Sequence, residues 1–187
     1  MISRQRNAAL RARRSMRSED REIASLRICE KLLRSHEFFA ADSIACYLPM
    51  PDEVDPGAII ERAWRAKKRI FCPVMRKPGE MTFHRLDRDT TLERNGYGLW
   101  EPVDGEIISP RHLDLVVTPL VAFDANCNRI GMGGGYFDRC FRFLKSRRHW
   151  QRPKLVGVAF ACQEVEKIEP NPWDIRLYSV LTDADRT

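Results

Sequence analysis

Leu113-Asp114-Leu115-Val116-Val117-Thr118-Pro119-Leu120-Val121-Ala122-Phe123 is the most apolar run in this chain of 187 residues. Its length and its Leu/Val content fit a strand buried on both faces, which belongs in the middle of a parallel sheet. Pro119 has no N–H to give to a ladder, so the strand should stop there or just beyond. Asp124–Arg129 reads as a turn, followed by a loop with four glycines in five positions, Gly131 to Gly135. Tyr136–Arg147 then reads as a helix. Strand, glycine-rich loop and helix in succession point to an α/β fold.

The flanking segments agree. Residues 5–17 and 19–36 read as two helices, with Ser18 as N-cap of the second and Glu19 and Asp20 suited to its positive end. Ser43–Pro49 reads as a short buried strand that runs into the turn Pro49-Met50-Pro51-Asp52. Pro56–Lys67 has its apolar residues Ile59, Ile60, Ala63 and Trp64 at helical spacing, and Arg69–Val74 is the next buried strand. Met81–Leu86 alternates with the period of a strand that has one wet face. Residues 87–112, polar and rich in Gly and Pro, read as loop, and Leu155–Phe160 and Tyr178–Thr182 as the last strands. Strands alternating with helices predict a three-layer α/β/α fold around a central, largely parallel sheet. Neither repeats nor linker-like tracts divide the chain, so residues 1–187 read as a single domain.

The net charge of +6 is local. Residues 1–17 hold six arginines (4, 6, 11, 13, 14 and 17) and no acid; removing those six from the 32 basic residues leaves 26, equal to the 26 acids. The body is therefore neutral and the excess forms an N-terminal arm. Three readings of the arm stand: a solvated basic helix, an anion-binding segment, or a targeting peptide. Mutual repulsion should leave residues 1–14 partly mobile and contributing little to the core. Apolar runs fall short of the roughly 18 residues that a membrane span needs. The six cysteines lack metal-binding spacing and read as reduced thiols of a cytoplasmic protein, expected to be a monomer.

The chemistry should centre on Gly131-Met132-Gly133-Gly134-Gly135. Glycines leave backbone N–H groups uncovered, and at a helix N-terminus such donors form an anion site, although a glycine cluster is also an ordinary turn. The loop is neither a Walker A loop nor the dinucleotide fingerprint, because no Gly-Lys-Ser/Thr follows and Tyr136 occupies the last required glycine. Asp138, in the first turn of the helix, either complements the helix dipole or holds a cation against phosphate; Mg²⁺ is commonly bound by one or two carboxylates plus substrate phosphates. Arg129 and Arg139 bracket the loop and could neutralise transferring oxygens. Glu53, just past the first strand, is either a solvated turn residue or an acid facing a ligand at the strand's carboxyl end. Asp174 reads as a cap or turn residue unless something pairs it with Asp138.

Taken together, PLVAFDANCNRIGMGGGYFDR, YLPMPDEVD, Glu101-Pro102 and WDIRL resemble, in the same order, segments of the 5-formyltetrahydrofolate cyclo-ligase family. The resemblance implies conversion of 5-formyltetrahydrofolate to 5,10-methenyltetrahydrofolate with ATP and Mg²⁺. ATP would be held by Arg129, Ile130, Gly131, Met132, Gly133, Gly134, Gly135, Tyr136 and Phe137, and Mg²⁺ by Asp138 and Asp174. Leu48 and Glu53, with Trp100 and Tyr136 as aromatic neighbours, would contact the folate, and Asp138 and Arg139 would serve the transfer itself. The family's Lys-x-x-Leu-Arg stretch has its nearest counterpart in Asn7-Ala8-Ala9-Leu10-Arg11, which nominates Arg11 for ATP, with Arg4 or Arg6 standing in for the absent lysine. Tyr178 stands where the family often has another acid. Two rivals are a non-catalytic nucleic-acid or phospholigand binder using the arm, and an enzyme of similar fold acting on a sugar phosphate; a neutral body argues against the first.

Overall fold

The computed structural model describes residues 2–76, 79–147 and 152–184. Three helices open the chain: α1 (Ile2–Ser15), α2 (Ser18–Leu33) and α3 (His36–Ala40). Strand β1 (Ser43–Ala45), helix α4 (Gly57–Arg65), β2 (Arg69–Met75) and β3 (Met81–Arg85) follow. A small hairpin, β4 (Leu92–Arg94) and β5 (Trp100–Pro102), precedes β6 (Ile107–Ile108) and β7 (Leu115–Pro119). A second hairpin, β8 (Ala122–Phe123) and β9 (Arg129–Ile130), leads to α5 (Tyr136–Phe141), β10 (Lys154–Val158) and β11 (Ser179–Leu181).

Seven of these strands form one mixed sheet in the order β11-β10-β7-β1-β2-β3-β6. The five from β11 to β2 are parallel, and β3 and β6 add antiparallel at one edge. β1 pairs on both sides, with Ile44 opposite Ile70 of β2 and Leu115 of β7. Successive side chains point to opposite faces, and the two cores follow that pleat. Ile44, Leu115 and Val117 pack under α2, α3 and α4 with Ile28, Leu32, Phe38 and Ile59. Ala45, Val116 and Leu155 pack on the other face with Phe141, Phe143, Ile175 and Leu177. This is the expected three-layer α/β architecture, its second layer built from α5, a 3₁₀ turn and irregular chain.

Some local expectations hold and others are corrected. The central strand β7 ends at Pro119, as expected, and Ala122–Phe123 leaves the sheet to pair with Arg129–Ile130. Leu120, Val121 and Ala122 are buried all the same, so apolarity there reports burial and not sheet membership. Residues 87–112 are not plain loop; they hold β4, β5 and β6, too short and polar to show a period. Arg17, not Ser18, occupies the N-cap of α2, without a side-chain cap bond. Ser35 interrupts the expected helix 19–36 and caps α3 by accepting the Phe38 N–H at 3.2 Å. The helix expected over 136–147 is α-helical only to Phe141 and continues as a 3₁₀ helix over Arg142–Ser146.

The largest correction concerns the arginine-rich start. It is a docked helix, with Ala9 packed against Val121, Ala122, Ile130 and Ile168. Arg13 is only 2% exposed. Charge repulsion is relieved because Arg13 and Arg14 both meet the Asp52 carboxylate. No helix among the described residues is long and apolar enough to cross a membrane. Cys29, Cys46 and Cys72 are buried free thiols, and burial pushes Cys29 and Cys72 up to about 12.

Candidate active site

The chain leaves β1 towards β2 in one direction and β7 towards β10 in the other. The gap beyond the carboxyl ends of β1 and β7 is thus a topological switch point, where open α/β sheets bind ligands. A cleft of about 840 Å³ opens there, lined by Tyr47 and Leu48 after β1, by Pro119 at the end of β7 and by Leu120 after it. Residues 131–135 form one wall and Trp100 and Glu101 of β5 another.

The glycine wall has specific backbone demands. Gly133 (φ 104°) and Gly135 (φ 63°) lie in the left-handed region, which other residues adopt at a cost. Gly135 is the N-cap of α5. With six residues, α5 is too short to offer much of a macrodipole, so the anion-attracting character rests mainly on the loop's own N–H groups. Arg139 folds back on the loop: it donates to the Gly134 carbonyl and, at 3.2 Å, to the Gly79 carbonyl, with its guanidinium 5.6 Å from the Tyr136 ring centre. Across the cleft, Arg6 of α1 donates to the Gly131 carbonyl at 2.9 Å.

Asp138 and Asp174 come together at the end of this wall. The Arg129 side chain is buried and donates to Asp138 Oδ1 at 2.7 Å and to the Ile175 carbonyl. Asp138 Oδ1 also accepts the Ile175 N–H at 3.0 Å, which brings the two carboxylate-bearing segments side by side. Asp174 Oδ2 accepts from the Asn171 N–H and side-chain amide at 2.8 and 3.2 Å. Among the described residues, each aspartate thus keeps one oxygen without a partner, and both line the cleft. Arg129 thus uses two of its five N–H donors to hold Asp138 and the Ile175 carbonyl, and it also lines the cleft.

The other half of the cleft is apolar with a carboxylate tip. Leu48, Met50, Met75 and Met81 line it, and Glu53 closes it. Glu53 Oε2 accepts the Met50 N–H at 3.1 Å, and Oε1 lies 3.8 Å from Arg13 Nη1. Burial pushes the Glu53 carboxyl up and Asp52 adds to that, against the opposing pull of the Met50 N–H and Arg13; the net is a raised value. Trp100 stands at the mouth with Arg94 stacked on it at 5.0 Å. The Tyr136 hydroxyl meets that of Tyr97, on the β4–β5 turn, at 3.2 Å.

A sequence profile of the 5-formyltetrahydrofolate cyclo-ligase family matches residues 3–183. The chain belongs to that family. It is 34% identical over 178 residues to the 5-formyltetrahydrofolate cyclo-ligase of Escherichia coli K12, covering 92% of this chain and 94% of that one. The corresponding enzyme of Haemophilus influenzae is 35% identical over 147 residues, 75% of each chain. Among solved structures, a 5,10-methenyltetrahydrofolate synthetase of Aquifex aeolicus superposes with a TM-score of 0.83 at 28% identity, covering 98% of this chain and 90% of that one.

In this cyclo-ligase the cleft gathers Leu48, Glu53, Trp100, Arg129 to Arg139 and Asp174. It does not gather Arg11, which is exposed on α1. At 3.6 residues per turn Arg11 lies roughly 140° around the helix from Arg6, so only one of them can face the cleft. Tyr178 is also outside it; its ring covers the Lys154 ammonium at 4.1 Å, so the departure there does not touch the site. Arg6, named with Arg4 as a stand-in for the absent lysine, does line the cleft, whereas sequence reasoning missed Glu101 and Lys145 as cleft residues. Buried Glu101 accepts from the Met75 N–H and from Asn95 at 2.8 and 2.7 Å, holding the hairpin to the sheet. A lone glutamate before a proline carries no local signal for that role.

Proposed function

We propose that the cleft converts 5-formyltetrahydrofolate and ATP into 5,10-methenyltetrahydrofolate, ADP and phosphate. The cyclo-ligase class follows from the family to which the chain belongs. The observation that carries the assignment of halves is one cleft with two chemically distinct walls. Open glycine amides stand beside two carboxylates on one side, and an apolar slot ends in Glu53 on the other.

ATP phosphates lie along Gly131–Gly135, with Arg6 in place of Arg11 as the contact from α1. Asp138 and Asp174 fit Mg²⁺, since each offers a carboxylate oxygen without a partner among the described residues and Mg²⁺ is commonly held by one or two carboxylates plus substrate phosphates. When bound, the ion held by Asp138 and Asp174 would offset the charge of the transferring phosphoryl group. Folate occupies the apolar half, its pterin N–H groups directed to Glu53 and its ring system near Trp100 and Tyr136.

The formyl oxygen on N5 takes the γ-phosphoryl group, releasing ADP and activating the carbon. N10 attacks that carbon, loses its proton, and the C–O bond breaks to expel phosphate, which closes the ring. No protein nucleophile is needed; the chain positions two substrates and neutralises charge. Absorbance of the methenyl product tests this directly. The chromophore should grow when protein, 5-formyltetrahydrofolate, Mg²⁺ and ATP are combined, and growth that does not require ATP would refute the proposal.

A further inference from the structure

Arg13 is an odd residue to bury. Its guanidinium has a side-chain exposure of 3% and is divided between two acids. Nε and Nη2 donate to Asp52 Oδ2 at 3.2 and 3.0 Å, while Nη1 faces Glu53 Oε1 at 3.8 Å. The turn it grips is already closed by its own backbone, since the Glu53 N–H donates to the Met50 carbonyl at 3.0 Å. Arginine is not required to make that turn. Removing an ion pair from water is expensive, and apolar contacts anchor a helix as well or better. A planar fork does something apolar contacts cannot: it fixes the direction and the charge of a carboxylate.

We infer that Arg13 is a positioning residue for Glu53, which makes helix α1 part of the folate half of the cleft. The inference rests on the reading of Glu53 as the folate-facing carboxylate. The groups that face Glu53 define the need. Tyr47, Leu48 and Met50 surround it with little polar surface; the Tyr47 hydroxyl is spent on the Val54 carbonyl at 2.6 Å. Asp52, next in the chain, repels it. Burial and Asp52 both favour the protonated carboxyl, and the Met50 N–H and Arg13 are what oppose them. Arg13 is the one cation at this carboxylate among the described residues, and by holding Asp52 it also shields Glu53 from its neighbour.

Two residues of α1, seven positions apart on one face, thus serve opposite walls: Arg6 holds the Gly131 carbonyl and Arg13 holds the turn bearing Glu53. That separation supplies the control. A general failure to dock α1 would disturb both substrates, whereas loss of positioning at Glu53 would disturb folate alone.

Steady-state kinetics on five proteins tests this: the parent, Arg13→Gln, Arg13→Lys, Glu53→Gln and the Arg13→Gln/Glu53→Gln double variant. Arg13→Gln should raise the KM for 5-formyltetrahydrofolate by about tenfold with the KM for ATP changed less than about twofold. In the Glu53→Gln background the same change should add less than about twofold, since the partner through which it acts is gone. Arg13→Lys, which keeps the charge but loses the fork, should fall between parent and Arg13→Gln, and it carries the test if the glutamine variant does not fold. A multiplicative double variant, or parallel rises in both KM values, would overturn the inference. An unchanged folate KM in Glu53→Gln would overturn the Glu53 reading and this inference with it. A folate KM raised by Glu53→Gln but not by either Arg13 variant would overturn the inference alone.

Discussion

Asp124 offers the sharpest test of how the fold supports the site. It is 1% exposed, at the end of β8, and its carboxylate receives four hydrogen bonds. Oδ1 accepts the N–H groups of Asn126 and Asn128, both at 3.0 Å. Oδ2 accepts the Asn128 side-chain amide at 2.9 Å and the Ile168 N–H at 3.0 Å. In Asp124→Asn the single oxygen can keep one of these pairs, and the new NH₂ then confronts two donors with nothing to accept. Losing two bonds to a charged acceptor, at about 1.5–3 kcal/mol each, predicts a destabilisation of about 3–6 kcal/mol. That is a large part of the roughly 5–15 kcal/mol by which domains are stable.

The pH dependence follows from the same bonds. Burial alone would push the Asp124 carboxyl up, but the bonds from Asn128, Ile168 and Asn126 outweigh it and leave it below the usual range. A lowered folded-state value means that its stabilisation is fully present above the unfolded carboxyl value of about 3.9 and is lost as pH falls through the folded value. Urea unfolding of parent and variant, at neutral pH and again across the acid range, reads both effects. The gap between the two proteins should be widest at neutral pH and narrow as the pH falls. A gap below about 1 kcal/mol at neutral pH would refute the reasoning, and so would one that does not change with pH.

Two further predictions concern the glycine wall. Asp138→Asn should leave the fold intact, because the amide oxygen can still accept from Arg129 and Ile175, yet lower turnover by about two orders of magnitude or more through loss of charge at the transferring phosphate; full turnover with an unchanged Mg²⁺ requirement would sink that role. Gly134→Val acts through packing and not through backbone strain, since the left-handed angles belong to Gly133 and Gly135. A Cβ at Gly134 would stand 2.8 Å from the Tyr136 ring, so calorimetry should show ATP affinity falling at least about tenfold, with folate binding much less affected. Unchanged ATP affinity would make the loop merely a turn.

The elements that could be read in advance are those whose residues face a sheet or a helix layer over several positions. β2, β7, β10 and α4 announce themselves by apolar periodicity, and they set the sheet order that places the cleft. The β4–β5 hairpin could not be read, because its strands are three residues long, Leu92–Arg94 is largely exposed, and their placement depends on Glu101 reaching back to Met75 across the fold. The glycine loop, Asp138, Asp174 and Glu53 were legible as residue types; that Arg129 would pair with Asp138 was not, since it depends on how the turn at Ile175 folds against α5. The arginine-rich start differs from both, because its signal was present and was outweighed by charge counting. Ile2, Ala9 and Leu10 are spaced i, i+7 and i+8, one apolar stripe on a helix, and Arg6 and Arg13 fall at i+4 and i+11 on that same stripe. A basic residue in the apolar phase of a helix is the one that meets the body of the protein, so phase and not number decides which arginines act. Read that way, Arg4 and Arg11 go to solvent, and Arg6 and Arg13 go to the two walls of the cleft.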